Sequence, residues 1–407
     1  MLKQATLLVV GTLVSQLILF STTPILSRFF SPAEFGLYGV LMSIAALATG
    51  GSTGKYELAI VKLNRMKAVA TSTVLFLSIF FLLLFFIIFI VLSFTFSWSD
   101  GTAFFFIDNY FILFFLFIGV SSFNVLIYFF HANSKLQHVV QLNIVRSVLH
   151  AILPILILYF FKIEGALIFG TLLSYLISVL IVVKFYNGRV IQLPNFKWSN
   201  RFLSKYSDLP KYTLPHFIVD KSRDFILIAG TSYFFGVEIG GVIAVAQRLL
   251  SAPAQILSKS LTVFIYKYFF DEKGKGKAFV TYLIIAFFLT SIAIIMFLVF
   301  LSFSSELISI LLGGAWVKYS NLMVAISIWY FSSFVGGVFA QIPVLYNKSK
   351  SFLFLNIVFF ILFFLSFFVA SDVGVEDFFF VLSSLNFLFV FSFMVWVGML
   401  IYKECYG

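Results

Sequence analysis

A single cysteine, Cys405, stands among 407 residues, which excludes an internal disulfide and a thiolate metal site. Charge is nearly as scarce. Asp, Glu, Lys and Arg make up 11% of the chain, where a soluble domain carries about a quarter. Four histidines are present, and no His, Asp or Glu grouping has the spacing of a metal site. Long polar outer connections are missing as well, so there is no surface domain on which acid–base chemistry could be mounted. Against these absences stand 62% hydrophobic residues and 59 phenylalanines. A soluble core of this length has no room for so many rings, whereas lipid tails accept them without penalty. The chain therefore reads as an all-α polytopic membrane protein, with no catalytic residue, no metal and no cofactor expected.

Crossing the hydrocarbon as a helix takes roughly 20 mostly apolar residues. Twelve runs between charged or Gly/Pro-rich breaks meet this requirement: 6–27, 36–61, 69–96, 110–130, 139–161, 165–183, 213–235, 239–264, 279–302, 320–346, 352–370 and 377–401. Barrel strands would be about half as long and would alternate polar with apolar residues. VLFLSIFFLLLFFIIFIVL does neither. The first run follows Lys3, exceeds the apolar core of a secretory signal and lacks its small-residue cleavage site, so it is expected to be a retained span.

The loops orient these spans. With the N-terminus inside, inner segments hold eighteen of the 27 Lys and Arg residues, and outer segments hold three, Arg28, Lys162 and Lys318. Acidic residues lean outward, Glu34, Asp100, Asp108, Glu164, Glu238 and Asp372 among them. By the positive-inside rule both termini are cytoplasmic. The net charge of +11 is thus an orientation signal with an affinity for anionic lipid, and no nucleic-acid partner is expected. The longest inner connection, within 184–212, is basic and punctuated by Pro194 and Pro210. It divides the chain into an expected bundle at 1–184, a cytoplasmic linker at 185–212 and a second bundle at 213–407.

The halves echo each other. FFSPAEFGLYGV begins at residue 29 and FFGVEIGGVIAV at residue 234; with one gap Glu34 aligns with Glu238 and Gly36 with Gly240. Six spans return the chain to its starting side, so the halves are parallel repeats, as in alternating-access transporters with a site between the two. Pro24, Pro154, Pro215, Pro253 and Pro343 interrupt spans. Close helix packing and bending between two states both account for them.

Six basic residues remain inside spans, Lys55, Arg146, Lys221, Arg223, Arg248 and Lys259, with three acidic ones, Glu57, Asp220 and Asp224. Each costs roughly 2.5–3.5 kcal/mol at mid-membrane. Arg248 and Lys259 are three helical turns apart and can face one cavity. Asn143, Arg146, Ser147 and His150 form a polar stripe. His216, Asp220, Arg223 and Asp224 follow i, i+4, i+7, i+8 spacing on one face, which leaves Lys221 off that face as an expected snorkelling anchor. An Asp220–Arg223 ion pair at i, i+3 is the structural alternative there. Lys55 and Glu57, two apart, are expected to point in different directions, so that at most one faces a cavity. A cationic interior calls for an anionic guest such as a phosphate or pyrophosphate. The carboxylates Asp224, Asp220 and Glu57 are then candidates for coupling to H⁺ or Na⁺.

Three stretches resemble bacterial Wzx-type polysaccharide-unit flippases of the multidrug/oligosaccharidyl-lipid/polysaccharide (MOP) exporter superfamily. They are ILSRFFSPAEFGLYGVLMSIAALATGGSTGKYELAIV (25–61), SRDFILIAGTSYFFGVEIGGVIAVAQRLLSAPAQIL (222–257) and LLGGAWVKYSNLM (311–323). The resemblance implies two six-helix bundles about a central cavity, rocking between inward and outward states in the bacterial inner membrane. It implies a lipid-linked oligosaccharide substrate, an O-antigen or similar unit on an undecaprenyl-pyrophosphate carrier, and it maps onto Asp224, Gln247 and Arg248. Arg146, Arg223, Lys259 and Lys55 join these as substrate-binding candidates from the buried-charge reading. Membrane lipids and other polysaccharide-assembly membrane proteins are the further expected partners. A multidrug or small-molecule antiporter of the same superfamily is the first alternative, disfavoured by six buried cations against three anions. A membrane polymerase or ligase is the second, disfavoured by the clipped outer loops.

Overall fold

The computed structural model describes residues 2–63, 65–95, 110–163, 165–186, 190, 192, 196–272, 276–346, 348–368 and 373–406, with the side chains at 2–9, 88–95, 110, 252–264 and 266–267 outside that description. The expected outer acids Asp100, Asp108, Glu164 and Asp372 therefore lie outside the described residues. Among the described residues every regular element is helical, and the chain forms two compact units, Met1–Ala229 and Gly230–Gly407.

In the first unit α1 (Leu2–Leu26) leads through a short turn to α2 (Pro32–Ser52). Ser31 starts α2 with a reciprocal capping box: the Glu34 N–H donates to Ser31 Oγ at 3.3 Å, and the Ser31 N–H donates to Glu34 Oε2 at 2.8 Å. Pro32 occupies the first helical turn, where its missing N–H costs nothing. The expected single span 36–61 is broken. Gly54 (φ 58°) and Lys55 (φ 63°) are both left-handed, and helix resumes only as the single turn α3 (Glu57–Ile60). A Lys in this region costs roughly 1–2 kcal/mol, so the kink is held by contacts elsewhere.

Four long helices follow: α4 (Lys67–Thr95), α5 (Tyr110–Ala132), α6 (Leu136–Phe161) and α7 (Ala166–Phe185). Buried hydroxyls join them where apolar surface alone gives no preference in lipid. Ser52 Oγ lies 2.9 Å from Ser78 Oγ, which in turn bonds Ser121 Oγ, so α2, α4 and α5 share one chain of hydrogen bonds. Gly170 of α7 sits against Pro154 of α6 so closely that an added Cβ would overlap the proline nitrogen and ring. Gly170→Ala is accordingly expected to cost about 1–3 kcal/mol by forcing the helices apart, read as a lower thermal midpoint of the detergent-purified protein. Gly51→Ala, whose Cβ meets nothing within 4 Å, is the matched control and should not lower it.

The basic connection contains a helix that reading for spans did not anticipate. α8 (Phe196–Lys205) buries Phe202 and Ser199 and keeps Phe196, Lys197, Arg201 and Lys205 exposed. Phe202 packs with Ala59, Ile60, Ala70, Val74 and Val125 and stacks on Trp198 at 5.4 Å, which docks α8 on the first unit. A wide π-type turn, Leu209–Thr213, then enters α9 (Leu214–Phe235), within which the two units meet in sequence.

The second unit continues with α10 (Val237–Asp271), α11 (Gly276–Ser302), α12 (Ser304–Leu312), a 3₁₀ turn at Gly314–Tyr319, α13 (Ser320–Phe339), α14 (Ile342–Leu345), α15 (Ser349–Ser366) and α16 (Val375–Tyr406). Glu238 lies in the first turn of α10 as Glu34 does in that of α2, so the repeated motif occupies equivalent helix starts, where an acid complements the helix dipole. The expected loop 303–319 is helical, and span 320–346 is interrupted at Ala340–Gln341 just ahead of Pro343. Gly313 (φ 99°) turns the chain and Trp316 is 1% exposed behind it. Asn386 of α16 donates to Trp329 O at 3.1 Å and to Ser332 Oγ at 2.9 Å on α13, the polar fastening of that pair.

Each of the twelve expected spans contains a helix, with 36–61 and 320–346 broken into two. Among the described residues nine helices are long and apolar enough to cross a membrane. Of the remaining three, α1 meets the hydropathy test only as the shorter segment Val10–Leu26, α9 holds four charges, and α10 has much of its length outside the side-chain description. The protein is an all-α, multi-pass membrane protein.

Candidate functional site

The break after α2 and the entry of α9 build one cluster in the first unit. Gly50 has no side chain, and the Phe217 ring occupies the space a Cβ would take. This lets α9 come close enough for Phe217 to lie under Lys55, whose Nζ is 3.2 Å from the ring centroid. The same ammonium is 3.7 Å from Glu57 Oε1. Sequence spacing had Lys55 and Glu57 diverging; the left-handed backbone at Gly54 and Lys55 turns them together instead. Glu57 is 5% exposed, and its Oε2 has no hydrogen-bond partner among the described residues. Tyr128 of α5 is within electrostatic reach of that carboxylate, and Lys221 of α9 within reach of Lys55. Between the two charges, Tyr56 points the other way and donates from its hydroxyl to Leu203 O of α8 at 3.1 Å, which pins the kink.

On α9 the expected Asp220–Arg223 pair is present at 3.0 Å. Lys221 is not a snorkelling anchor. It bonds Asp224 at 2.8 Å and approaches Asp220 at 3.8 Å, because residues three apart on a helix are neighbours and a low dielectric rewards their pairing. His216 on the same stretch is exposed. The cluster of Lys55, Glu57, Asp220, Lys221, Arg223 and Asp224 thus contains three cations and three anions. Of the six membrane-embedded cations, the surplus resides in Arg146, Arg248 and Lys259.

Arg146 is held differently. On α6 its guanidinium carbon lies 5.4 Å from the ring centroid of Phe123 (α5) and 5.1 Å from that of Tyr175 (α7). Its Nε is buried with no hydrogen-bond partner among the described residues. Aromatic faces support a cation without neutralising it. The polar stripe around it is structural: Ser147 bonds Asn143 O at 2.7 Å, and His150 Nδ1 is 3.2 Å from Thr171 Oγ1 and packed by Tyr38.

Gln247 and Arg248 are half-buried on α10 in the second unit, and neither is without an interaction. Lys259 lies on the same helix, its side chain outside the described residues. The structure therefore gathers Lys55, Glu57, Asp220, Arg223 and Asp224 within the first unit, sets Arg146 apart between rings, and places Gln247, Arg248 and Lys259 on a single helix of the second. Reading by spacing missed Phe217, Phe123, Tyr175 and Tyr128, which are apolar or aromatic residues among many with no local mark. It also missed a second cluster, in which Lys318 donates to Glu238 at 3.1 Å and Tyr319 donates to the same oxygen. Those donors hold the Glu238 carboxyl below the usual range.

Comparison with known proteins places these features. Residues 25–321 match the family described as polysaccharide biosynthesis protein. No curated protein sequence matches the chain. Among solved structures, the lipid II flippase MurJ in an inward closed conformation superposes with TM-score 0.71 at 11% identity, over 97% of this chain and 90% of that one. An inward-facing multidrug resistance MATE family transporter of the MOP superfamily gives 0.69 at 14% identity, over 97% and 98%. A MOP superfamily transporter from Pyrococcus furiosus, described as having reverse polarity of its binding pocket, gives 0.58 at 15% identity, over 99% and 95%. The fold is that of the MOP superfamily transporters.

Proposed function

The chain belongs to the polysaccharide biosynthesis protein family, and from that premise we propose that it is a flippase carrying a lipid-linked oligosaccharide from the inner to the outer leaflet of the bacterial inner membrane. The observation that carries this reading is Arg146, a membrane-embedded guanidinium supported by two ring faces and with an Nε–H that has no partner among the described residues. A cation held by ring faces rather than by a carboxylate is suited to an anion, and the pyrophosphate of a polyprenyl carrier is an anion that such a membrane path can meet. Arg146, Arg223, Arg248, Gln247 and Lys259 are the residues assigned to the substrate head, and Lys55 joins them when its pair with Glu57 opens.

The two bundles, 1–184 and 213–407, alternate access about the 185–212 connection, with both termini cytoplasmic. Coupling falls to Glu57, Asp220 and Asp224. Glu57 is paired with Lys55, and Asp220 and Asp224 with Arg223 and Lys221, so a proton or Na⁺ taken up by a carboxylate loosens its cations for the phosphate, and substrate release reverses the exchange. A multidrug antiporter has the fold in its favour, but an organic cation would meet Arg146 as repulsion. Reconstitution tests the choice directly. Liposomes holding the protein should move a fluorescent polyprenyl-pyrophosphate oligosaccharide to the inner leaflet, protected from dithionite, faster under an imposed pH or Na⁺ gradient. They should leave a cationic dye in place. Gradient-driven dye movement without lipid translocation would overturn the assignment.

A further inference from the structure

A cavity of about 950 Å³ opens within the second unit. Its walls run along α11 from Phe279 to Phe297 and along α16 from Ser384 to Tyr402, and its floor is the Ile328–Val335 face of α13. The polar groups on it are mostly spent: Tyr282 donates to Met394 O at 2.6 Å, Ser332 to Trp329 O at 3.0 Å and Ser384 to Phe380 O at 2.8 Å. No charged residue lines it among the described residues, a lining that suits hydrocarbon. Gly398 lets the α16 wall approach α11 this closely, since a Cβ there would press on the Tyr282 ring at 3.0 Å.

Length decides which hydrocarbon. Each wall covers eighteen residue steps, about 27 Å of helix at 1.5 Å per residue, close to the full hydrocarbon thickness of roughly 30 Å. An acyl chain of a bilayer phospholipid reaches only its own leaflet, about half of that. A chain that fills the groove from end to end is longer. One end also carries charge. The Tyr406 hydroxyl meets Gly276 O at 3.4 Å, bringing the end of α16 to the start of α11, and the exposed residues there include Lys277 and Lys403 beside Glu404. That end, cytoplasmic by the loop charges, offers the exposed Lys277 and Lys403 at the depth at which a lipid phosphate sits.

We propose that this groove holds the polyisoprenyl chain of a lipid carrier, lying along α11 and α16 with its phosphate end toward Lys277 and Lys403. The identity of the chain rests on the lipid-linked substrate proposed above, whereas its binding requires no transport. The test is photolabelling of the full-length protein in nanodiscs of phosphatidylethanolamine and phosphatidylglycerol. One probe is undecaprenyl phosphate with a diazirine in its chain; the other is phosphatidylglycerol with the same diazirine. The polyisoprenyl probe should label α11 and α16 peptides, be displaced by unlabelled undecaprenyl phosphate, and fall at least about fivefold in Ala286→Trp, which fills the groove. Ser384→Phe narrows it from the opposite wall and should act likewise. Equal, non-displaceable labelling of these peptides by both probes, or labelling unchanged by the variants, would overturn the proposal. If neither variant reaches the membrane, displacement on the wild-type protein decides alone. A protein that labels in the groove but moves no glycan-bearing lipid in liposomes retires the flippase reading and leaves the groove standing; translocation without displaceable labelling retires the groove alone.

Discussion

Arg146→Ala is expected to abolish surface glycan in a flippase-null strain while leaving the amount of protein in the membrane unchanged. Placing a cation at mid-membrane costs roughly 2.5–3.5 kcal/mol. A desolvated cation–π contact returns about 2 kcal/mol, and Arg146 has two ring faces within reach. The rings therefore offset most of the cost of embedding the charge without consuming it, which a carboxylate would do. A phosphate at about 4 Å in an effective dielectric near 20 gains roughly 4 kcal/mol. At 1.36 kcal/mol per tenfold, removing the guanidinium should lower transport by about two to three orders of magnitude. Arg146→Lys keeps the charge but loses the planar group that lies over both rings, and should retain part of the activity. Membrane abundance by immunoblot separates lost transport from lost folding. Wild-type glycan in Arg146→Ala would remove this residue from the transport path.

Lys55→Met is expected to destabilise the protein by about 3–5 kcal/mol, because taking one partner from a buried ion pair leaves the other uncompensated. The side chains of Lys55 and Glu57 are 14% and 6% exposed, and Glu57 already has one oxygen without a partner among the described residues. Adding Glu57→Gln to Lys55→Met should recover most of the loss, since a neutral amide has no charge to strand. Lys55→Gly separates backbone from charge: it relieves about 1–2 kcal/mol of left-handed strain yet still leaves Glu57 alone, so it should fall between the wild type and Lys55→Met. Thermal unfolding of detergent-purified protein reads all four. A single Lys55→Met variant as stable as the double one would show that the pair does not hold the kink.

These two sites were unequally legible before folding. Both cations announce themselves as charges within apolar runs, and so does the Asp220–Arg223 pair, whose spacing of three places it on one helix face. The supports did not show. Phe123, Tyr175 and Phe217 are three among many aromatic residues, and their value lies in which cation they meet across 23, 29 and 162 positions of sequence. The pairing of Lys55 with Glu57 depends on a left-handed lysine, which residue type disfavours. Spacing alone gives no rule for Lys221, since snorkelling and pairing are both sterically open to it.

By itself the sequence determined the membrane, the order of the long apolar helices, and the repeat that sets Glu34 and Glu238 at equivalent helix starts. Those follow from composition and spacing, because hydrocarbon thickness dictates run length and backbone hydrogen bonding dictates helix. Tertiary structure alone decided which face of each helix meets which neighbour: Gly50 under Phe217, Gly170 against Pro154, Arg146 between two rings, the groove along α11 and α16. In a soluble helix a polar stripe reports that rotation. These helices are apolar on nearly every side, and lipid is no worse a solvent for Phe or Leu than a neighbouring helix. Rotation is then settled only by close packing and by the few polar groups that must find partners, and these are long-range facts.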